Sequence, residues 1–291
     1  MGIKSILCLF EGFQEELSAV NTALTLAATF EAQVRLLHIS HEPASYGNLY
    51  DEGMFISLDM VSFIEDINKK RMDKARQHFT SLCKNHNIPL DQEKNPQHHA
   101  YAQFLHKIGS AATIITKEGR ASDMLIIGRG IEPDILYDGV LIAALFNTGR
   151  PVLLLPSEHK NPAKQWNDKT ISIAWDGKLE SARAIFNALP FLKRAETINI
   201  LTANDHNKND NINFNKTITN YLSAHDIHPN FITISREKRS SGETILTKTK
   251  ELGSDVLVMG AYGHSRLREI IMGGFTKYML EKADIPLLLS H

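Results

Sequence analysis

One pattern is written twice in this chain, in the same order. Residues 5–10 (SILCLF) form an apolar, β-like run ending in Glu11-Gly12, and residues 171–175 (ISIAW) form another ending in Asp176-Gly177. Each leads into a stretch with apolar residues at i, i+3 and i+4: Leu17, Val20, Ala23, Leu24 and Ala27 in the first, Ala182, Ile185, Phe186 and Leu189 in the second. That spacing lays apolar side chains along one face of a helix. Residues 34–39 and 198–202 follow as second strands. Later, SDMLIIG at 122–128 is echoed by SDVLVMG at 254–260, and RPVLLL at 150–155 by IPLLL at 285–289. Four paired landmarks in the same order make an internal duplication.

Alternating strand and helix in each copy predict a parallel sheet covered on both faces, because a parallel crossover needs a helix and that helix covers the sheet. The strands read as uncharged apolar runs, as strands buried on both sides should. The 291 residues suffice for about two domains. The expected domains are 1–158 and 169–291, separated by the polar, proline-containing stretch SEHKNPAKQWNDK, in which Trp166 is the one large apolar residue and a candidate anchor. Residues 152–155 and 287–289 are the last apolar strands of the two copies.

In open sheets of this kind, ligands bind beyond the carboxyl ends of the strands. In the second copy those positions are Asp176-Gly177, Thr202-Ala203 and Gly260 onward. Gly260-Ala-Tyr-Gly263 offers two residues able to take positive φ and bring backbone close to a ligand. Gly273, Gly274, Phe275 and Thr276 then open a helix through Lys282. A glycine loop entering a helix N-terminus suits an anion, since free N–H groups and the helix dipole both favour negative charge. Tight packing at a strand–helix corner is the other reading of those glycines.

G-x-x-G, nine residues, then G resembles the nucleotide loop of the universal stress protein family, in which a Ser or Thr follows the last glycine. Gly260, Gly263 and Gly273 match, Gly274 stands at the Ser/Thr position, and Thr276 matches a hydroxyl residue two places on. The resemblance implies two tandem Rossmann-like (adenine nucleotide alpha hydrolase-like) domains, each an open parallel sheet of about five strands with helices on both faces. It implies ATP or AMP, with or without magnesium, held by Asp176, Met259, Gly260, Gly263, Gly273, Gly274, Phe275 and Thr276. Asp176 would take the nucleoside, although as a residue it reads equally as a helix cap. Arg266, Arg268 and Lys277 are phosphate candidates or solvated surface charges. The family also pairs the final strands of two copies, which here implies an intramolecular pseudo-dimer, with a further homodimer or protein partner left open.

The first copy departs from the loop. After Gly128 no glycine follows at the third position, Glu132 and Asp134 bring negative charge, and Gly139 precedes Val140. This half is expected not to bind ATP in the family's manner. It also carries an insertion at 41–67, which reads as an embellished loop over the sheet edge or as a lid or partner contact. A charged-face helix is expected from Asp66 to Cys83.

Other sites are weaker in the residues. His38, His41 and Glu42 could hold zinc, and His98-His99 form a pair. No cysteine pattern supports them, and no metal is expected. His98-His99 read as a loop entering a helix that would carry His106 on its surface. Ser240 or Ser241 reads as a helix cap. No G-x-S-x-G elbow is present. There is neither a Walker A loop nor a residue placed as general base, so no catalytic residue is expected and any ATP hydrolysis should be weak. Cys8 and Cys83 give no disulfide framework, and Cys8 reads as a small core residue. A net charge of −1 argues against nucleic acid, and no apolar run approaches the ~18 residues of a membrane span. The expected location is the cytoplasm. The expected function is a stress-response regulatory module binding an adenine nucleotide in the C-terminal domain, or else a nucleotide-independent scaffold for a protein partner or apolar ligand.

Overall fold

The computed structural model describes residues 2–40, 58–90, 100–129, 135–156, 169–203, 208–263 and 274–291. The chain divides into two compact units, 2–150 and 151–291. The stretch 157–168, with Trp166, lies outside the described residues, as do residues 41–57 of the insertion.

The first unit runs β1 (Ser5–Leu9), α1 (Leu17–Phe30), β2 (Gln33–Ser40), α2 (Leu58–Asn85), β3 (Tyr101–Ile108), α3 (Ala111–Gly119), β4 (Met124–Gly128) and α4 (Ile135–Asn147). Its sheet has the order β3-β2-β1-β4, and all three pairings are parallel. Ile6, Cys8, Met124 and Ile126 are wholly buried. The helix expected from Asp66 starts earlier, at Leu58.

One expectation here is overturned. Residues 101–108, expected as a helix bearing His106, form β3, paired residue for residue with β2 from Gln33↔Tyr101 to Ser40↔Ile108. Tyr101, Phe104, Leu105 and Ile108 fall at i, i+3, i+4 and i+7, which imitates a helical stripe. Eight parallel register pairs on the open edge of β2 outweigh that local period. As an outer strand, β3 buries only Ala102 fully, so its pattern is blurred.

The second unit runs β5 (Val152–Leu155), β6 (Thr170–Ala174), α5 (Leu179–Leu192), β7 (Thr197–Ala203), α6 (Lys208–Ser223), β8 (Asn230–Ile234), α7 (Ser241–Glu251), β9 (Val256–Gly260), α8 (Gly274–Lys282) and β10 (Leu287–Ser290). The order is β5-β10-β9-β6-β7-β8, parallel throughout except that β5 runs antiparallel to β10, with Leu288 opposite Leu153. β5 and β10 therefore pair within one chain. Ser240 caps α7 by accepting the N–H of Glu243 at 3.1 Å.

The two units share one device at the start of a central strand. Asp123 Oδ2 accepts the N–H groups of Lys4 and Ser5, at 2.7 and 2.9 Å, where β1 begins. Asp255 Oδ2 accepts the N–H of Thr170 at 2.9 Å where β6 begins. Each aspartate thus satisfies a donor at the start of a central strand that has no ladder partner.

Candidate functional site

In the second unit the register Ile173↔Val258 and Ala174↔Leu201 sets the carboxyl ends of β9, β6 and β7 at one edge. Gly260, Trp175-Asp176 and Thr202-Ala203 therefore form one row. The Thr202 hydroxyl donates to the Trp175 carbonyl at 3.2 Å and ties two of these ends together.

Gly260 packs against the start of α5. A Cβ there would lie 2.7 Å from the backbone of Glu180 and Ser181. Neither Gly260 nor Gly263 takes positive φ, contrary to expectation; the left-handed residue of this corner is Tyr262, at φ 61. The strand leaves the sheet in extended form and turns one residue before Gly263. The turn is held by Thr276, whose Oγ1 accepts the Tyr262 N–H at 3.2 Å. Thr276 is buried in the first turn of α8, so this bond fixes the corner to the start of that helix.

The other proposed contacts divide. Gly274 and Phe275 open α8, and a Cβ on Gly274 would meet nothing within 4 Å. Met259 is fully buried in β9. Lys277 is exposed and lies 3.8 Å from Glu281. Gly273, Arg266 and Arg268 lie outside the described residues.

Asp176 is exposed beyond β6. Its Oδ1 accepts the Lys178 N–H at 3.1 Å, and its Oδ2 lies 3.5 Å from Lys178 Nζ. The N-cap of α5 is Lys178, so Asp176 makes a turn ahead of the helix and does not cap it.

A residue missed in the sequence is Glu180, in the first turn of α5. Its Oε2 would lie 3.1 Å from a Cβ on Gly263, so a carboxylate borders the glycine corner. Its counterpart in the first unit is Glu16. Gly128, at the end of β4, would place a Cβ 3.3 Å from Glu16 Cα, much as Gly260 does against Glu180. Acidic residues six after Phe10 and five after Trp175 were the available signal.

Glu16 folds back on its own loop. Its Oε2 accepts the N–H groups of Glu11 at 2.9 Å and Phe13 at 3.2 Å. Burial pushes its carboxyl up to about 8, with the Glu11 charge adding to the rise, and these N–H bonds offset only part of it. The space above β1 thus holds the chain's own carboxyl group. Beside it, His38 is buried with Nδ1 3.0 Å from the Phe10 carbonyl. His106 Nε2 lies 2.9 Å from Ser40 Oγ. Burial lowers the pKa of both rings. Among the described residues no cluster of His, Cys, Asp or Glu is placed to hold a metal ion; His41, Glu42, His98, His99, Glu132 and Asp134 lie outside them. No helix among the described residues is long and apolar enough to cross a membrane.

Residues 215–291, which include β8, α7, β9, α8 and β10, match the model of the universal stress protein family. A universal stress protein of Synechocystis sp. is 25% identical over 191 residues, 64% of this chain and 64% of the relative, so the match spans less than two thirds of that protein. Among solved structures, a universal stress protein from Archaeoglobus fulgidus aligns over 98% of this chain and 97% of its own, with a TM-score of 0.72 at 13% identity. A putative universal stress protein from Pseudomonas aeruginosa aligns over 99% and 93%, with a TM-score of 0.63 at 15% identity. At such identities the structures speak to the fold alone, and they share it along nearly the whole chain. The fold, the matched segment and the curated relative agree: this chain has the fold of universal stress proteins, and its residues 215–291 are similar to that family.

Proposed function

We propose that the second unit binds an adenine nucleotide, ATP or AMP, at the carboxyl edge of β9, β6 and β7, and that occupancy serves regulation in a stress response rather than catalysis. The observation that carries this reading is the bond between Tyr262 N–H and Thr276 Oγ1, which sets the glycine corner against the start of α8. That arrangement brings extended backbone and the free N–H groups of a helix N-terminus to one place, where phosphate oxygens are favoured. Asp176, exposed at the end of β6, would accept from a ribose hydroxyl or adenine amino group. Gly273 and the arginines at 266 and 268 belong to the same reading.

The same reading makes the first unit nucleotide-free. There Glu16 is buried and its carboxyl group accepts the Glu11 and Phe13 N–H groups just beyond β1, so a ligand at that strand end would have to displace it. One nucleotide per chain is the expected stoichiometry.

The test is calorimetry of the whole chain with ATP and with AMP, with and without magnesium, beside a Gly263→Val variant. Binding of one nucleotide that the variant loses supports the proposal. No binding at millimolar nucleotide sinks it and favours a nucleotide-independent scaffold, a reading to which Gly274 in the Ser/Thr position already lends weight.

A further inference from the structure

Glu180 stands against both glycines of the corner in the second unit. A Cβ on Gly260 would lie 2.7 Å from its Cβ and its backbone. A Cβ on Gly263 would lie 3.1 Å from its Oε2 and 3.6 Å from its Cδ. The side chain therefore runs along the turn from one glycine to the other, and the missing Cβ atoms leave room for it. It is half-buried in the first turn of α5. An acid suits the first turn of a helix, because the dipole favours negative charge there. That accounts for a carboxylate at 180, but not for its lying on the corner.

The first unit shows why it lies there. Glu16, its counterpart, turns back on its own loop and accepts the Glu11 and Phe13 N–H groups. Counted from Phe10 and Trp175 at the two strand ends, Phe13 corresponds to Lys178. The Lys178 N–H is already taken by Asp176 Oδ1, at 3.1 Å. The donor that draws Glu16 inward is thus occupied in the second unit, and the Glu180 carboxylate is set against Gly263 instead. Among the described residues it forms no ion pair.

Charge sets the consequence for a phosphate. The donors of the α8 N-terminus favour an anion at this corner, and a carboxylate in the same place opposes one. A divalent cation reverses the sign of that contact. Magnesium takes one or two carboxylate oxygens together with phosphate oxygens, which is the donor set that Glu180 and a polyphosphate provide.

We propose that Glu180 makes this corner selective for the magnesium complex of ATP over free ATP, its carboxylate sharing the cation with the phosphate oxygens. The selectivity rests on the nucleotide reading and names the form of nucleotide that the site takes.

The test is calorimetry of the whole chain and of Glu180→Gln, with ATP and with adenosine, each with and without magnesium. Adenosine has no phosphate and normalises for the rest of the site. In the wild-type chain magnesium should tighten ATP by about tenfold or more. Relative to adenosine, Glu180→Gln should bind free ATP about tenfold tighter than the wild type does and gain little from magnesium. The glutamine keeps the shape of the side chain, and adenosine binding by the variant shows that its site is folded. A variant that keeps the wild-type response to magnesium would overturn the proposal. So would a wild-type chain that binds free ATP as tightly as its magnesium complex. In both cases adenosine binding leaves the nucleotide reading standing. If neither ATP nor adenosine binds either chain, that reading fails and the selectivity fails with it.

Discussion

The hydroxyl oxygen of Thr276 accepts the backbone N–H of Tyr262 at 3.2 Å, across 14 residues of chain. The loop between β9 and α8 therefore begins and ends at one hydrogen bond. Because both residues are buried, removing the acceptor leaves an N–H with no ready replacement. Thr276→Val, which keeps the shape, should cost about 1–3 kcal/mol. Thr276→Ser keeps the oxygen and should cost less. Urea denaturation of both variants checks this, and equal losses would argue that the methyl group, not the bond, matters.

Gly274 has open space where a side chain would go. Adding a hydroxyl there restores the donor that the family places after the last glycine. Under the nucleotide reading, Gly274→Ser should tighten ATP binding, by about tenfold for one hydrogen bond to a charged oxygen. The bond needs a phosphate, so adenosine should gain nothing. Parallel titrations with ATP and adenosine read the difference directly.

How much of this was legible beforehand follows from where the forces act. β1, β4, β6 and β9 are short apolar runs buried on both faces, so sequence and structure agree there. β3 was misread because an edge strand carries a mixed pattern, and a chance helical spacing in Tyr101, Phe104, Leu105 and Ile108 filled the gap. At the candidate site, Gly260 was open to two readings, positive φ or tight packing at the strand–helix corner, and the structure shows the packing. Its hydrogen is needed for the approach of α5, a contact made by residues 80 positions earlier. Asp176 was open to two readings, a nucleoside contact or a helix cap, and the cap is the one that fails. Here the chain turns once more before Lys178. Glu16 and Glu180 were passed over because nothing local distinguishes a carboxylate that folds inward from one that faces water.

Both cysteine thiols are sealed. Cys8 and Cys83 are almost wholly buried, and burial pushes the Cys83 thiol up to about 12 and the Cys8 thiol further in the same direction. Thiolate is the reactive species, so neither should react with an aromatic disulfide reagent in the folded chain at neutral pH. Both should react in denaturant. A fast-reacting thiol under native conditions would mean that the first unit opens locally.

The buried acid and the buried imidazoles should give the first unit opposing pH dependences. Glu16 has its folded pKa raised from 4.5 to about 8. Its contribution is therefore fully present below 4.5 and is lost as pH rises toward 8, because the unfolded chain releases the proton first. His38 and His106 have folded pKa values lowered from 6.5, so their contribution is present above 6.5 and lost as pH falls below it. Glu16→Gln keeps a carbonyl acceptor for the Glu11 and Phe13 N–H groups without a charge to bury. It should raise the melting temperature at pH 8 and change it little at pH 5. Melting curves across that range decide the point. An equal shift at both ends would mean that the glutamine repacks the loop rather than removing a titration.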